Sequence, residues 1–160
     1  MLFRSVSQSR YLRKVSNKFE LIDSSFTYKT KDKVTTVEFT FRVPGCVLQY
    51  QNRIFLNMNL GESFRSRIID TTSRTTDFYL DNTIRYKAYY ILNIPKEYKV
   101  SYLPANKKIQ ENVYSFEMVN SQTQNKVISH RNYSFSTLKI SRKDINIWNE
   151  WIKGIIEVLS

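Results

Sequence analysis

Cys46 and His130 are the only cysteine and the only histidine in this 160-residue chain, so they are its only thiol–imidazole pair. A cysteine nucleophile reacts as the thiolate and needs a base within hydrogen-bond reach. Cys46 follows Pro44-Gly45 and precedes Val47-Leu48, the setting of a small hydrophobe at a strand start. His130 falls inside a strand pattern beside Arg131. Both read as structural residues. Asp70, Asp77 and Asp81 form the nearest acidic group, but they lack the alternating spacing and central glycine of a calcium loop and read as loop and turn acids. The chain's three glycines are scattered, leaving neither a P-loop nor a dinucleotide fingerprint. Carboxylate pairs for glycoside hydrolysis are set by the fold, and nothing marks one here. No cofactor, metal or catalytic residue is expected.

The segment Arg85-Tyr86-Lys87-Ala88-Tyr89-Tyr90 interleaves basic and aromatic residues, as a single-strand nucleic-acid platform does. Strand alternation, however, places Tyr86 and Tyr90 on one face and Arg85 and Lys87 on the other, which any amphipathic strand over a core produces. The glycine-containing consensus of the RNA-recognition sheet is absent. Charge leaves an acidic partner open: 25 Lys and Arg against 14 Asp and Glu give a net charge of +11. Residues 1–17 concentrate part of it in Arg4, Arg10, Arg13 and Lys14, with no acid among them. These four are the candidate contacts to an acidic surface or polymer, and the rest of the charge is spread among interspersed acids.

The elements that position these residues are mostly strands. The length suits one domain able to bury a core without a metal or disulfide. No stretch approaches the roughly 18 apolar residues of a spanning helix, and residues 1–17 lack a signal peptide's apolar run, so if the protein is exported its signal is expected to lie outside this chain. With no linker, low-complexity tract or repeat, residues 18–160 read as one domain behind a basic leader, 1–17, that suits a short helix. Phe19 to Tyr28 is strand-like and Lys29 to Lys33 a charged turn. Val37, Phe39, Phe41 and Val43 alternate with polar residues, as do Ile54, Leu56, Met58 and Leu60 up to Gly61. Phe64 to Ile69 has a short strand pattern. Tyr86, Ala88, Tyr90, Leu92 and Ile94 line one face of a long strand that Pro95 ends, with a turn at Lys96-Glu97 and a further strand from Tyr98 to Leu103 before Pro104. Two strands, Asn112 to Val119 and Lys126 to Leu138, flank a polar hairpin loop from Asn120 to Asn125.

The C-terminus is helical from about residue 142. Ser141 and Asp144 form a variant capping box, and Trp148, Trp151, Ile152, Ile155 and Leu159 make an apolar stripe. Gly154 interrupts it at a cost of about 1 kcal/mol relative to alanine. The fold expected is an antiparallel β-sandwich with this helix packed on the sheet.

The run Thr76-Asp77-Phe78, the strand to Ile94, Pro95-Lys96-Glu97-Tyr98-Lys99-Val100 and Tyr102-Leu103-Pro104 resembles the C-terminal domain of bacterial transglutaminase-like proteins. Those are multidomain chains with an N-terminal β domain, a papain-like transglutaminase core and a C-terminal domain of unknown function. Ser115-Phe116, Phe135, Leu138, Trp148 and Trp151 continue the resemblance, which is strongest over residues 74–153. Two departures stand out. Thr75-Thr76 replaces a proline often found before the acid, and the family's final apolar strand falls on Ile155 to Leu159, which here suits helix or strand. The family's catalytic Cys, His and Asp lie in the core, and no residue of this chain matches them. The resemblance implies a non-catalytic accessory domain of an exported, periplasmic or cell-surface protein, partnered by a transglutaminase-like core of the same parent chain. The alternative is a free-standing binding module for acidic polymers, glycan or nucleic acid.

Overall fold

The computed structural model describes residues 20–22, 27–31, 34–38, 40–56, 58 and 64–159. The leader, with Arg4, Arg10, Arg13 and Lys14, lies outside them. Backbone contacts divide the chain into two compact units, residues 1–62 and 63–160. The described secondary structure is mostly antiparallel β with one C-terminal helix and no closed barrel, the class the sequence predicts.

In the first unit, β1 (Glu20–Leu21) pairs with β4 (Phe41–Arg42), β2 (Thr27–Lys31) with β3 (Val34–Glu38), and β5 (Val47–Tyr50) with β6 (Arg53–Leu56). The expected turn at Lys29 is instead strand through Lys31, because an exposed ribbon accommodates lysines as readily as a turn does. The run from Val37 to Val43 is interrupted because β3 and β4 have different partners. In the β5–β6 hairpin, Leu48, Tyr50, Ile54 and Phe55 all remain exposed, although alternation predicts a buried face for Ile54. A two-stranded ribbon has no covering layer to bury a face against.

The second unit is built on a four-stranded sheet in the order β8 (Ile84–Asn93), β11 (Lys126–Phe135), β10 (Tyr114–Thr123), β9 (Lys107–Gln110), all neighbours antiparallel. A small pair, β7 (Phe78–Tyr79) with β12 (Lys139–Ile140), stands beside it. Strand β8 alternates in burial along its whole length, as its sequence predicts, and ends just before Pro95. Tyr98 N–H donates to the Pro95 carbonyl at 3.0 Å, closing the expected turn. Tyr98 to Leu103 is not a strand. The next strand is β9, after Pro104, a four-residue edge whose single apolar residue, Ile109, gives almost no periodic signal. The hairpin also differs from expectation. β10 extends through Thr123, and with β11 starting at Lys126 as expected, only Gln124-Asn125 form the turn, because exposed polar residues at a strand end look like loop.

One sheet face carries the core: Ile84 and Tyr86, Tyr133 and Phe135, Tyr114, Phe116 and Met118, and Ile109. Helix α1 (Ile145–Leu159) covers it with Ile145, Trp148, Trp151, Ile152 and Ile155, so Ile155 to Leu159 resolves as helix. Burying one such side chain contributes about 1.5–3 kcal/mol. Phe135 meets both indoles edge-on, Trp148 at 5.2 Å and Trp151 at 5.3 Å between ring centroids, the geometry that ring quadrupoles favour. Arg131 is buried on the same sheet face, its guanidinium 4.5 Å from the Tyr90 ring. Burial lowers its pKa, opposed by Tyr90 and Tyr86.

A 3-10 turn (Arg142–Asp144) precedes α1, and its start is not capped as predicted. Ser141 Oγ donates to Asp144 Oδ2 rather than capping a backbone amide. The Asp144 N–H donates to the Ser141 carbonyl, and the Arg142 N–H is accepted by Asp77 Oδ1 at 2.8 Å, from 65 residues upstream. Gly154 has a packing role. A Cβ there would stand 3.1 Å from Ile109 Cδ1, so the missing methyl lets helix and β9 approach. Gly154→Ala trades about 1 kcal/mol of helix propensity against that contact. It is expected to stabilise the protein more in an Ile109→Val background than in the wild type, and a double-mutant cycle by chemical denaturation checks the coupling.

Candidate functional site

The sheet face opposite the helix is the one the core leaves open. Register places His130 between Tyr89 and Val119, Ile128 between Ile91 and Ser121, and Asn132 between Lys87 and Glu117, with Lys108 beyond Glu117. Tyr89 is 69% exposed and Ile91 61%, on a strand whose opposite residues are half-buried. The Tyr89 ring lies on the His130 ring at 4.4 Å and 14°, and His130 Nε2 has no hydrogen-bond partner. Ser115 and Ser134 are bridged through their hydroxyls at 2.8 Å. Arg85, Lys87, Lys108 and Lys126 surround this centre, with Glu117 the acid on the same face. The result is an apolar and aromatic centre inside a cationic rim, the usual anatomy of a protein interface.

Strand parity correctly separates Tyr86 and Tyr90 from Arg85 and Lys87. It also puts Tyr89 on the side of the basic residues, a placement readable from parity alone. Cys46 is half-buried in the first unit, immediately before β5, and His130 belongs to the second. Among the described residues, no group of three or more His, Cys, Asp or Glu is placed to hold a metal.

A cleft of about 390 Å³ lies between residues 66–70, Arg74, residues 78–81 and Trp148. Its wall is anchored by Asn149, a buried helix residue whose side chain accepts from Ile69 N–H at 2.9 Å and donates to the Ile69 carbonyl at 2.8 Å. Trp148 Nε1 donates to the Arg67 carbonyl at 2.8 Å. These bonds explain why Phe64–Arg67 is a 3-10 turn and not the predicted strand: its backbone turns toward the helix, which satisfies it with side chains. Asp70 Oδ1 accepts from the N–H and hydroxyl of Thr72, at 2.9 and 2.7 Å, and these bonds hold its carboxyl below the usual range.

Asp77 also pairs with Lys139 Nζ at 2.8 Å. The Lys139 hydrogen bond and then the Arg142 amide hold the Asp77 carboxyl below its ordinary pKa, and Asp77 raises that of Lys139. A carboxyl with a depressed folded pKa contributes stability that is present above about pH 3.9 and lost as pH falls through the folded value. A lysine with a raised folded pKa contributes stability that is present below about pH 10.4 and lost as pH rises through its folded value. The melting-temperature gap between wild type and Asp77→Asn is therefore expected to be flat from about pH 5 to 9. It should narrow in stronger acid and stronger base, which thermal scans across pH will show.

An antiparallel β domain whose helix closes one sheet face is the class that these features define. Within it, residues 52–158 match the model of a family described as a domain of unknown function with a solved structure, DUF3858, and the chain belongs to that family. Comparison with curated proteins gave no match, and neither did comparison with solved structures.

Proposed function

We propose that this chain is a non-catalytic accessory domain, a structural or interaction module that docks through its open sheet face onto the transglutaminase-like core of a longer parent protein in the periplasm or at the cell surface. The observation that carries the proposal is the exposed Tyr89, Ile91 and Val119 around His130 and Ile128, on a sheet whose other face carries the core and the helix. A solvated sheet face is normally polar, so exposed tyrosine and isoleucine at its centre favour a partner. The sequence resemblance over residues 74–153 supplies the identity of that partner.

A second reading draws on the rim. Arg85, Lys87, Lys108 and Lys126 beside an open tyrosine ring also suit an acidic glycan or single-stranded nucleic acid. Salt separates the two, since polyanion binding weakens steeply with ionic strength and an apolar interface does so much less.

The coding sequence upstream of Met1 is expected to specify a Cys/His/Asp core. That core, produced separately, should bind this chain and lose at least tenfold in affinity when Tyr89 and Ile91 are both changed to serine, with the melting temperature unchanged. Peptide hydrolysis or cross-linking by this chain alone, abolished by Cys46→Ala, would sink the proposal. For the second reading, no binding of single-stranded DNA or a polyuronate at low ionic strength rules it out.

A further inference from the structure

We infer that the cleft beside Trp148 binds a carboxylate carried on a flat apolar body, with Arg74 as the residue that holds the anion. The cleft's volume of about 390 Å³ falls within the size range of small-molecule sites. Ile69, Phe78, Leu80 and Trp148 give it apolar walls, and Arg67 and Arg74 give it two cations. The single polar hydrogen of the Trp148 indole is spent on the Arg67 carbonyl and the side chain is buried, so this residue offers the cleft no polar group.

Arg74 is positioned for the role. Its carbonyl accepts from Arg142 Nε at 2.6 Å, which fixes its backbone, and its guanidinium lies 5.2 Å from the Phe78 ring centroid. Its guanidinium makes no hydrogen bond or ion pair among the described residues. A guanidinium is shaped to receive a carboxylate with two parallel bonds. Neither acid of the cleft pairs with it: Asp70 feels the Arg74 charge but directs one oxygen to both donors of Thr72, and Asp81 is exposed. The apolar walls favour a ligand whose charge is confined to one end.

A free aryl acid and the C-terminal residue of a peptide share this chemistry. The probes are 3-phenylpropanoate for the first source, acetyl-Gly-Phe with a free carboxylate for the second, and 3-phenylpropanamide as the uncharged control. Each is titrated against the whole chain, with the Trp148 indole followed by NMR. At least one acid is expected to shift that resonance saturably, at least tenfold more tightly than the amide. Arg74→Gln should remove that preference, and Arg74→Lys, which keeps the charge but not the fork, should retain part of it. Tighter binding of acetyl-Gly-Phe assigns a peptide terminus, and tighter binding of phenylpropanoate assigns a free acid. Equal binding of acid and amide, no shift with either acid, or a preference unchanged in Arg74→Gln overturns the inference. The contrast between acid and amide in the unaltered chain decides the matter even if the variants do not fold.

Discussion

A single asparagine side chain holds the second unit's helix to its loop. Asn149 pairs with both backbone groups of Ile69, much as a neighbouring strand does, across 80 residues of sequence. Ile69 is buried, so its N–H and carbonyl need partners inside the protein. Asn149 supplies both at once. The adjacent Trp148 adds the bond to the Arg67 carbonyl, and the two together turn the segment after Phe64 into one wall of the cleft. Closing so long a loop costs entropy, and the apolar burial of Trp148, Ile152 and Ile155 offsets it.

From that attachment follows the asymmetry of the sheet. The helix, fixed by Asn149, by the Asp77 bond to Arg142 and by the close approach of Gly154 to Ile109, packs on one face. Tyr89, Ile91 and Val119 on the other face then have no intramolecular layer among the described residues to bury them. Their exposure is a consequence of how the core is built. The cationic residues around them add long-range attraction for an acidic partner to the short-range apolar contact, so encounter and docking draw on different residues of the same surface.

Much of this was legible where one physical signal dominates. The β8 alternation, the stop at Pro95 and the helix stripe from Trp148 to Ile155 all follow from burying one face of a periodic element. What the sequence hides is long-range satisfaction of polar groups. Ser141 has the right type and spacing for a cap, yet its hydroxyl is spent on Asp144 Oδ2 while the Asp144 amide bonds the Ser141 carbonyl, and the Arg142 amide goes to Asp77, a carboxylate brought near by the β7–β12 pairing. Asn149 reads as an ordinary polar helix residue, and only the fold reveals its partner. β9 carries no period because it has one isoleucine in four residues, and the end of β10 is hidden because exposed strand and loop share a polar composition. Of the candidate surface, the cations of β8 were visible and Tyr89 was readable by parity. Arg74 became a candidate only when the cleft placed it.

The dependence of this architecture on Asn149 is most directly measured by the unfolding free energy of Asn149→Ala, with amide hydrogen exchange at Ile69. Leaving two buried backbone groups unpaired is predicted to cost about 2–4 kcal/mol and to deprotect the Ile69 amide well before global unfolding. A loss below about 0.5 kcal/mol, the size of an ordinary surface change, with Ile69 still protected to the level of the core, would contradict the account.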